Sequence, residues 1–313
     1  MAEAVPLTAE VSSMSKPRGR TASQTGSIAP STIRRPGAAD LRIGTSGWHY
    51  RAWNGPFYPR DMKPRAFLSF YVEHFNTAEI NNSFYRLPSE QAVRAWREGV
   101  PDGFLFAWKA SRFITHLKRL KDVEDSVGLV FGRMSGLGPA FGPALFQLPP
   151  TFEADPENLE RLARCLGHLP QGQRCAFEFR HPSWYEERPL RLLRNRNAAL
   201  CITDHRAAPS PWIATADFVY VRGHGPTGFY AGHYERPTLQ DWSARLRLWH
   251  AEGRDVFVYF DNDVKGAAPE DAKLLLALTE GAIPPSTPCR PGGSSRSGPD
   301  SRGWPRSPGS DGR

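Results

Sequence analysis

The chain has 313 residues, of which 40% are apolar and 12% aromatic, so it can bury one large core or two small ones. Five of its eight net positive charges fall in residues 1–40 and 282–313, so the basic net charge is weak evidence for a nucleic-acid-binding domain. No apolar stretch approaches the roughly 20 residues that span a bilayer, which argues against an integral membrane protein.

The two ends of the chain differ in composition from its middle. Residues 1–40 are rich in Ser, Thr, Ala, Pro and Arg, and residues 282–313 consist mostly of Pro, Gly, Ser and Arg. Neither segment holds enough apolar surface to offset the entropy lost on ordering. We therefore predict two disordered tails around one folded domain over residues 41–281.

Eight short runs of β-branched, aromatic or apolar residues predict eight strands in the middle of the chain. The predicted strands cover residues 41–46, 77–82, 104–110, 144–148, 175–180, 199–203, 218–222 and 255–261. Helix-like segments lie between them, with the clearest at residues 65–75, 157–166, 238–252 and 269–280. Asp155 followed by Pro156 marks the start of one helix, because Asp caps helices and Pro favours their first turn.

Eight strands alternating with helices over roughly 250 residues predict a (β/α)8 barrel of the TIM type. The weakest unit is the sixth, because residues 205–217 contain Pro209 and Pro211 and make a poor helix. A doubly wound open sheet is the competing architecture. It usually carries a glycine-rich turn that leads from the first strand into a helix, whereas residues 44–48 here lead into aromatic residues.

Polar and aromatic side chains follow almost every predicted strand. In a barrel of this type the carboxyl ends of the strands line the functional face, so we predict an aromatic-walled pocket there. Its candidate residues are Trp48, Asn81, Tyr85, Lys109, His116, Gln147, Glu178, Arg180, Trp184, Arg222, His224, Tyr259 and Asn262.

Residues 177–184 form the most informative of these segments. Glu178 and Arg180 alternate with Phe177 and Phe179, so the two charges point the same way at the end of an otherwise apolar strand. Such charges cost free energy unless they are paired. Either Glu178 simply neutralises a nearby arginine, or the charges serve a ligand; the sequence leaves both open.

These motifs together resemble the YecE-like family, also called domain of unknown function 72. The resemblance rests on seven motifs in order: residues 44–48, 79–86, Lys109 with 115–116, 146–150, 178–181 with Trp184, 220–225, and 259–260 with Asn262. It covers about residues 41–281 and implies a TIM-type barrel. It implies no activity, because the family is uncharacterised. Asp261 departs from the Asn that this family more usually carries there.

The first functional hypothesis is an enzyme that uses acid–base chemistry on a small anionic or sugar-like ligand, with no required cofactor. Glu178, His116 and His224 are the candidate proton carriers. The cations Lys109, Arg180 and Arg222 are candidates for binding phosphate or carboxylate. The remaining candidates would orient or stack on the ligand: Asn81, Gln147 and Asn262 through amides, and Trp48, Tyr85, Trp184 and Tyr259 through rings.

Two alternatives stay open from sequence. A metal-dependent hydrolase such as a phosphodiesterase could draw ligands from His116, Glu178, His181, Asp204 and His224, although no metal-binding motif is present. A non-catalytic nucleic-acid-binding role would use the exposed aromatic and basic groups.

The cysteines indicate the compartment. Cys165, Cys175, Cys201 and Cys289 form no CxxC pair, and Cys175 and Cys201 sit in apolar runs that predict buried free thiols. With no signal-peptide pattern at the start of the sequence, we expect a reducing, cytoplasmic environment. The oligomeric state is not predicted.

Overall fold

Eight parallel strands and the helices between them make up the computed structural model, which describes residues 39–281. The strands are β1 (Leu41–Thr45), β2 (Thr77–Ile80), β3 (Leu105–Lys109), β4 (Phe141–Gln147), β5 (Cys175–Glu178), β6 (Ala199–Thr203), β7 (Phe218–Gly223) and β8 (Asp255–Phe260). The α-helices are α1 (Phe67–Tyr71), α2 (Glu90–Glu98), α3 (Glu124–Met134), α4 (Pro156–His168), α5 (Glu187–Asn195), α6 (Arg236–Ala251) and α7 (Ala267–Glu280). The predicted disordered tails lie outside the described residues, apart from residues 39 and 40.

The strands form one sheet that curls into a nearly closed barrel, as the sequence predicts. Its order is β1-β8-β7-β6-β5-β4-β3-β2, and each neighbouring pair is parallel. The two end strands meet at a bridge between Ser46 and Glu79, where Gly47 N donates to Glu79 O at 2.8 Å. Gly44 allows this approach, because a Cβ there would lie 2.3 Å from Thr77 O.

Two apolar layers hold the barrel together. The larger layer lies between the strands and the surrounding helices, and the smaller one fills the barrel interior with residues such as Ala107, Leu145, Ala176, Tyr220 and Phe257. Small alanines on several strands leave room for the large rings of β7 and β8. The charged residues lie next to this interior layer, at the carboxyl ends of the strands.

The local helix signals behave as expected. The Asp155 side chain accepts a hydrogen bond from Asn158 N at 2.7 Å and caps α4, with Pro156 as its first residue. The first helix is shorter than predicted: α1 is preceded by a 3-10 turn at Pro64–Ala66 and ends at Tyr71. Several strands also end one or two residues early.

The irregular sixth unit is also confirmed. The structure has no helix between β6 and β7, and the segment with Pro209 and Pro211 runs across the barrel surface instead. Trp212 from this segment stacks on Trp249 of α6, with ring centroids 5.9 Å apart. Aromatic packing thus covers the sheet where a helix is missing.

Two further expectations concern thiols and membranes. Cys165, Cys175 and Cys201 are free and buried, as predicted for the latter two, and Cys289 lies outside the described part of the chain. Among the helices of residues 39–281, none has the length and apolar character needed to cross a bilayer.

Candidate functional site

Arg222 lies at the centre of the carboxyl-terminal end of the barrel and contacts three carboxylates. It is fully buried near the end of β7, and its Nη1 donates to Glu178 Oε2 at 2.8 Å. Its Nη2 donates to Glu79 Oε1 at 3.0 Å and to Asp261 Oδ2 at 2.7 Å. We call Glu79, Glu178, Arg222 and Asp261 the carboxylate cluster. Burial alone would lower the pKa of Arg222, but the three carboxylates raise it well above its usual value.

Ser46 and Tyr220 complete the hydrogen bonding of the carboxylate cluster. Ser46 Oγ accepts from Arg222 Nη2 at 3.0 Å and donates to Glu79 Oε1. Tyr220 OH, two residues before Arg222 on the same strand, donates to Glu79 Oε2 at 2.6 Å. Both Glu79 oxygens are therefore occupied, which makes this part of the barrel end a closed network of charge-assisted hydrogen bonds.

Glu178 links Arg222 to a second arginine. Its Oε1 forms a short ion pair with Arg180 Nη2, and both side chains are almost completely buried. Burial would raise the pKa of Glu178, but Arg180 and Arg222 outweigh it and hold that pKa well below its usual range. The pairing that the sequence left open is therefore present, and Glu178 is an ionised partner of two guanidinium groups.

His224 is held between the same two arginines. Its Nε2 lies 3.1 Å from Arg222 Nη1 and 3.2 Å from Arg180 Nη2. Guanidinium nitrogens only donate, so Nε2 accepts and the ring proton sits on Nδ1, which lies 3.0 Å from Thr203 Oγ1. With both nitrogens engaged, His224 holds the two arginines in place.

Arg180 is fixed by a residue in a strained conformation. Its Nη1 donates to Tyr230 OH at 3.1 Å, and Tyr230 has a φ of 65°, in the left-handed region that non-glycine residues rarely adopt. Arg180 Nε is buried without a hydrogen-bond partner in the described residues. Strained residues often mark ligand sites, so Tyr230 and Arg180 belong to the candidate site.

Lys109 is the one buried lysine in residues 39–281, and it differs from Arg180 and Arg222 in forming no ion pair with a described carboxylate. Its side chain is 7% exposed, and its Nζ lies 4.6 Å from the centroid of the Phe84 ring. Among the described residues, Nζ has no hydrogen bond and no carboxylate within salt-bridge distance. Burial and the charge of Arg222 lower the pKa of Lys109 to about 8.

His116 lies beside Lys109 in a region of positive charge. It sits in a short π-helical turn, Phe113–Leu117, a local irregularity frequent at functional sites, and its Nδ1 lies 2.9 Å from Thr115 Oγ1. Partial burial and four cations lower the pKa of His116 to about 4. These cations are Lys109, Arg180, Arg119 and Arg112. We call them, with His116, the cationic side.

Three amide side chains predicted from sequence also lie at this end of the barrel. The Oδ1 atoms of Asn81 and Asn262 are buried without a hydrogen-bond partner in the described residues. Asn262 Nδ2 donates to Asp271 Oδ2 at 2.7 Å, which fixes that side chain. Gln147 is half-buried and pairs with Glu178 in the register of β4 and β5. Orphaned buried oxygens are rare in proteins and suit a ligand that donates hydrogen bonds.

The two tryptophans predicted to stack on a ligand lie elsewhere. Trp48 packs on Phe106 with ring centroids 5.4 Å apart, in the apolar layer outside the strands. Trp184 is fully buried between Phe152 and Phe179, and its Nε1 donates to Phe152 O at 2.6 Å. Both rings point away from the charged residues because the chain turns sharply after the strand that precedes each of them.

The two tyrosines differ from each other in position. Tyr85 is 67% exposed, and its ring contacts Phe84 at the rim of the cationic side. Tyr259 is fully buried in the barrel interior, where its OH lies 2.8 Å from Thr77 Oγ1. Tyr85 can reach a ligand from the surface, whereas Tyr259 belongs to the interior apolar layer beneath the site.

Several residues of the site were not among the sequence candidates. Ser46 and Glu79 lie within quoted motifs, and their polar character at strand ends was the available signal. Asp263 is partly buried behind Asp261, and burial together with Asp261 raises its pKa well above its usual range. Tyr230 lies in the loop after β7, where no sequence period indicates which side chain turns inward.

The alternative metal ligands do not assemble into a recognisable centre. In residues 39–281, no group of three or more His, Cys, Asp or Glu side chains has a metal-binding arrangement. His181 bonds locally instead, with Nδ1 2.8 Å from Ser183 Oγ. The acidic groups nearest the centre are held by Arg222 and Arg180.

Comparisons with known proteins agree with the motifs. Residues 42–291 match the model of a family described as "Protein of unknown function DUF72". The chain is 28% identical over 274 residues to UPF0759 protein YunF of Bacillus subtilis (strain 168), covering 77% of this chain and 95% of that protein. It is 37% identical over 144 residues to UPF0759 protein YecE of Escherichia coli (strain K12), covering 44% of this chain and 52% of that one.

Solved structures give the same result for the fold. A DUF72 family protein from Thermotoga maritima MSB8 superposes with a TM-score of 0.72 at 26% identity, covering 77% of this chain and 99% of that one. A DUF72 family protein from Enterococcus faecalis V583 gives a TM-score of 0.67 at 21% identity, covering 77% of this chain and 95% of that one. The resemblance seen in the sequence motifs is thereby confirmed.

Proposed function

The chain belongs to the DUF72 family, whose members have no established function, and we propose that it binds a small anionic ligand at the carboxyl-terminal end of the barrel and acts on it by acid–base chemistry. The observation that carries this proposal is the gathering of four cations around the partly buried His116 ring; burial and these cations lower the pKa of His116 to about 4. A phosphate or carboxylate group is the natural occupant of such a region.

The distribution of charge supports binding on the cationic side and not at Arg222. The carboxylate cluster already neutralises Arg222, and Glu178 is shared with Arg180. Lys109 has no carboxylate within salt-bridge distance among the described residues, and burial together with the charge of Arg222 lowers its pKa to about 8 despite the three carboxylates of the cluster. An incoming anion would lie between Lys109 and Arg180.

Proton transfer falls to Lys109 and His116. Near neutral pH a lysine with a pKa of about 8 is partly unprotonated, so it can accept a proton from a bound ligand. His116 is neutral in the free protein, and a bound anion would raise its pKa toward the physiological range. Glu178 then acts as a positioning residue that holds Arg180 and Arg222.

Phosphate binding tests this proposal. We expect saturable binding of inorganic phosphate to the full chain by calorimetry, and a rise in the pKa of His116 followed by its ring proton resonances. Lys109→Gln removes one cation and should weaken binding by roughly tenfold or more, as expected for a hydrogen bond between charged groups. Arg245→Gln, at an exposed pair with Asp241 on α6, is the matched control and should bind as the wild type does.

Two results would contradict the proposal. Wild-type protein that binds neither phosphate nor a small carboxylate such as citrate would remove the anion site. Binding that leaves the His116 resonances unchanged would place the anion elsewhere on the protein.

A further inference from the structure

We propose that Lys109 is a nucleophile whose Nζ forms an imine with a carbonyl carbon of the ligand, an inference that rests on the anion site proposed above. The ligand class is then narrower than an anion. It is a small aldehyde or ketone that also carries a phosphate or carboxylate group.

The position of Lys109 separates it from the other lysines of the described chain. It is the last residue of β3, and Ser83 Oγ donates to its backbone O at 2.7 Å, which fixes the strand end. Its stem is buried, and Nζ lies over the face of Phe84. By contrast, Lys118 is less buried and its Nζ donates to Asp122 O at 2.8 Å.

The environment keeps this amine free of partners that would hold its proton. The nearby carboxylates Glu79, Glu178 and Asp261 are engaged by Arg222. The ammonium form of Lys109 is therefore compensated only in part: burial and the charge of Arg222 lower its pKa to about 8, although Asp261, Glu178 and Glu79 act in the opposite direction from beyond salt-bridge distance. A desolvated lysine next to another cation is the usual setting in which lysine reacts with carbonyl groups.

The step balances without any further reactant. The neutral amine attacks the carbonyl carbon, the carbon–nitrogen bond forms, and the carbonyl oxygen leaves as water with the two amine protons. No electrons are gained or lost. Because the attacking amine is neutral, Arg180, Arg119 and Arg112 are the cations that hold the anionic group during this step.

Reductive trapping tests the inference on the full chain. Glyoxylate, an anionic aldehyde, and glycolaldehyde, a neutral aldehyde of similar size, are each added with sodium borohydride at pH 7, and modified lysines are located by peptide mass spectrometry. At this pH a pKa of about 8 gives roughly 200-fold more free amine than an ordinary lysine has. We expect Lys109 to be labelled by glyoxylate at least tenfold faster than Lys118, the internal control, and faster than by glycolaldehyde.

The outcomes separate this inference from the anion site. Equal labelling of Lys109 by both aldehydes would support the imine and contradict the anion site. Phosphate binding without preferential labelling of Lys109 would support the anion site and overturn the imine. Lys109→Arg keeps the charge and should abolish labelling at this position; circular dichroism checks its fold, and the wild-type comparison decides the question without it.

Discussion

The carboxylate cluster and the cationic side lie next to each other at one end of the barrel, but the charges at their centres differ in whether they are paired. Arg222 is fully buried and bonded to three carboxylates. Lys109 is almost as buried, but no carboxylate of the described residues lies within salt-bridge distance of it. Arg222 is thus paired within the chain, and so is Arg180 through Glu178, whereas Lys109 on the cationic side forms no ion pair with a described residue. Burial of a charge is thus a poor indicator of function until its partners are known.

The difference has an energetic side. A buried ion that has lost its hydration is stable only when other groups compensate for it. The network of Arg222 meets that requirement. Lys109 meets it only in part, because burial and the charge of Arg222 outweigh the favourable charges of the three carboxylates, and its pKa falls to about 8. A cation that is compensated only in part lowers stability, as is expected where a ligand supplies the missing charge.

The largest effect is expected at Arg222. Arg222→Met keeps much of the side-chain volume but leaves Glu79, Glu178 and Asp261 buried with no guanidinium between them. Removing one partner of a buried ion pair costs about 3–5 kcal/mol, so we expect a loss of this size in the free energy of unfolding, measured by urea denaturation.

A matched substitution at the surface isolates the effect of burial. Arg245 forms an exposed pair with Asp241 on α6, and Arg245→Met should change the free energy of unfolding by no more than about 0.5 kcal/mol. If the two variants were equally stable, Arg222 would not be the structural centre of the barrel end.

Replacing Lys109 is expected to increase the free energy of unfolding, the opposite of the effect at Arg222. Its pKa falls from 10.5 to about 8 on folding, which corresponds to a cost of about 3 kcal/mol for keeping it charged. Lys109→Met should therefore raise the free energy of unfolding by about 3 kcal/mol at pH 7 while weakening phosphate binding by roughly tenfold or more. Urea denaturation and calorimetry measure the two effects separately.

The pH dependence of this gain gives a check on its cause. Between the folded pKa of about 8 and the ordinary lysine value, the unfolded chain binds more protons than the folded one, so wild-type stability rises with pH. The advantage of Lys109→Met should therefore be full below pH 8 and absent above about pH 10.5. Lys63→Met, at an exposed position, is the control substitution. If Lys109→Met were less stable than the wild type at pH 7, the nearby carboxylates would outweigh the cost of burying the Lys109 ammonium.

Much of the fold could be predicted because its signals are local. Eight apolar runs alternating with helical segments indicate the barrel, and Asp155 with Pro156 marks the start of α4. The irregular sixth unit follows from Pro209 and Pro211. Strand ends were less accurate, because the last residues leave the sheet to turn toward the site, and their hydrogen bonds are set by neighbours far away in the sequence.

The site was predictable in location but not in pairing. Alternation along the strands placed Glu178, Arg222 and Lys109 at one end of the barrel, as the structure shows. Which cation each carboxylate contacts depends on distances across the barrel that no local pattern contains. The direction of the Trp184 side chain could not be predicted either. The alternation of side chains ends with the strand, and the turn that follows decides where the ring packs. The catalytic and binding roles of these residues stay predictions.

The smallest effect is expected at Asp261, and it tests whether the carboxylate cluster influences binding on the cationic side. Asp261 is one of the three carboxylates bonded to Arg222, and Asp261→Asn replaces it by a neutral amide but leaves Arg222 its bonds to Glu79 and Glu178. A unit charge removed at about 10 Å from a bound anion is worth about 1 kcal/mol at an effective dielectric constant of ~30. Phosphate should therefore bind roughly fivefold more tightly, which calorimetry would detect.

Asp261→Asn also acts on the neighbouring acid. Asp261 contributes to the raised pKa of Asp263, so the substitution should lower that pKa toward its ordinary value, and Asp263 should ionise at a lower pH in the variant than in the wild type. The gain in phosphate affinity should then be full at acidic pH, where Asp263 is protonated in both proteins, and smallest at intermediate pH, where Asp263 is ionised only in the variant. Asp241→Asn on exposed α6 is the control and should leave the affinity unchanged. If Asp261→Asn left the phosphate affinity unchanged at every pH, the carboxylate cluster and the cationic side would be electrostatically independent. Only Lys109 and its neighbouring arginines would then determine what binds.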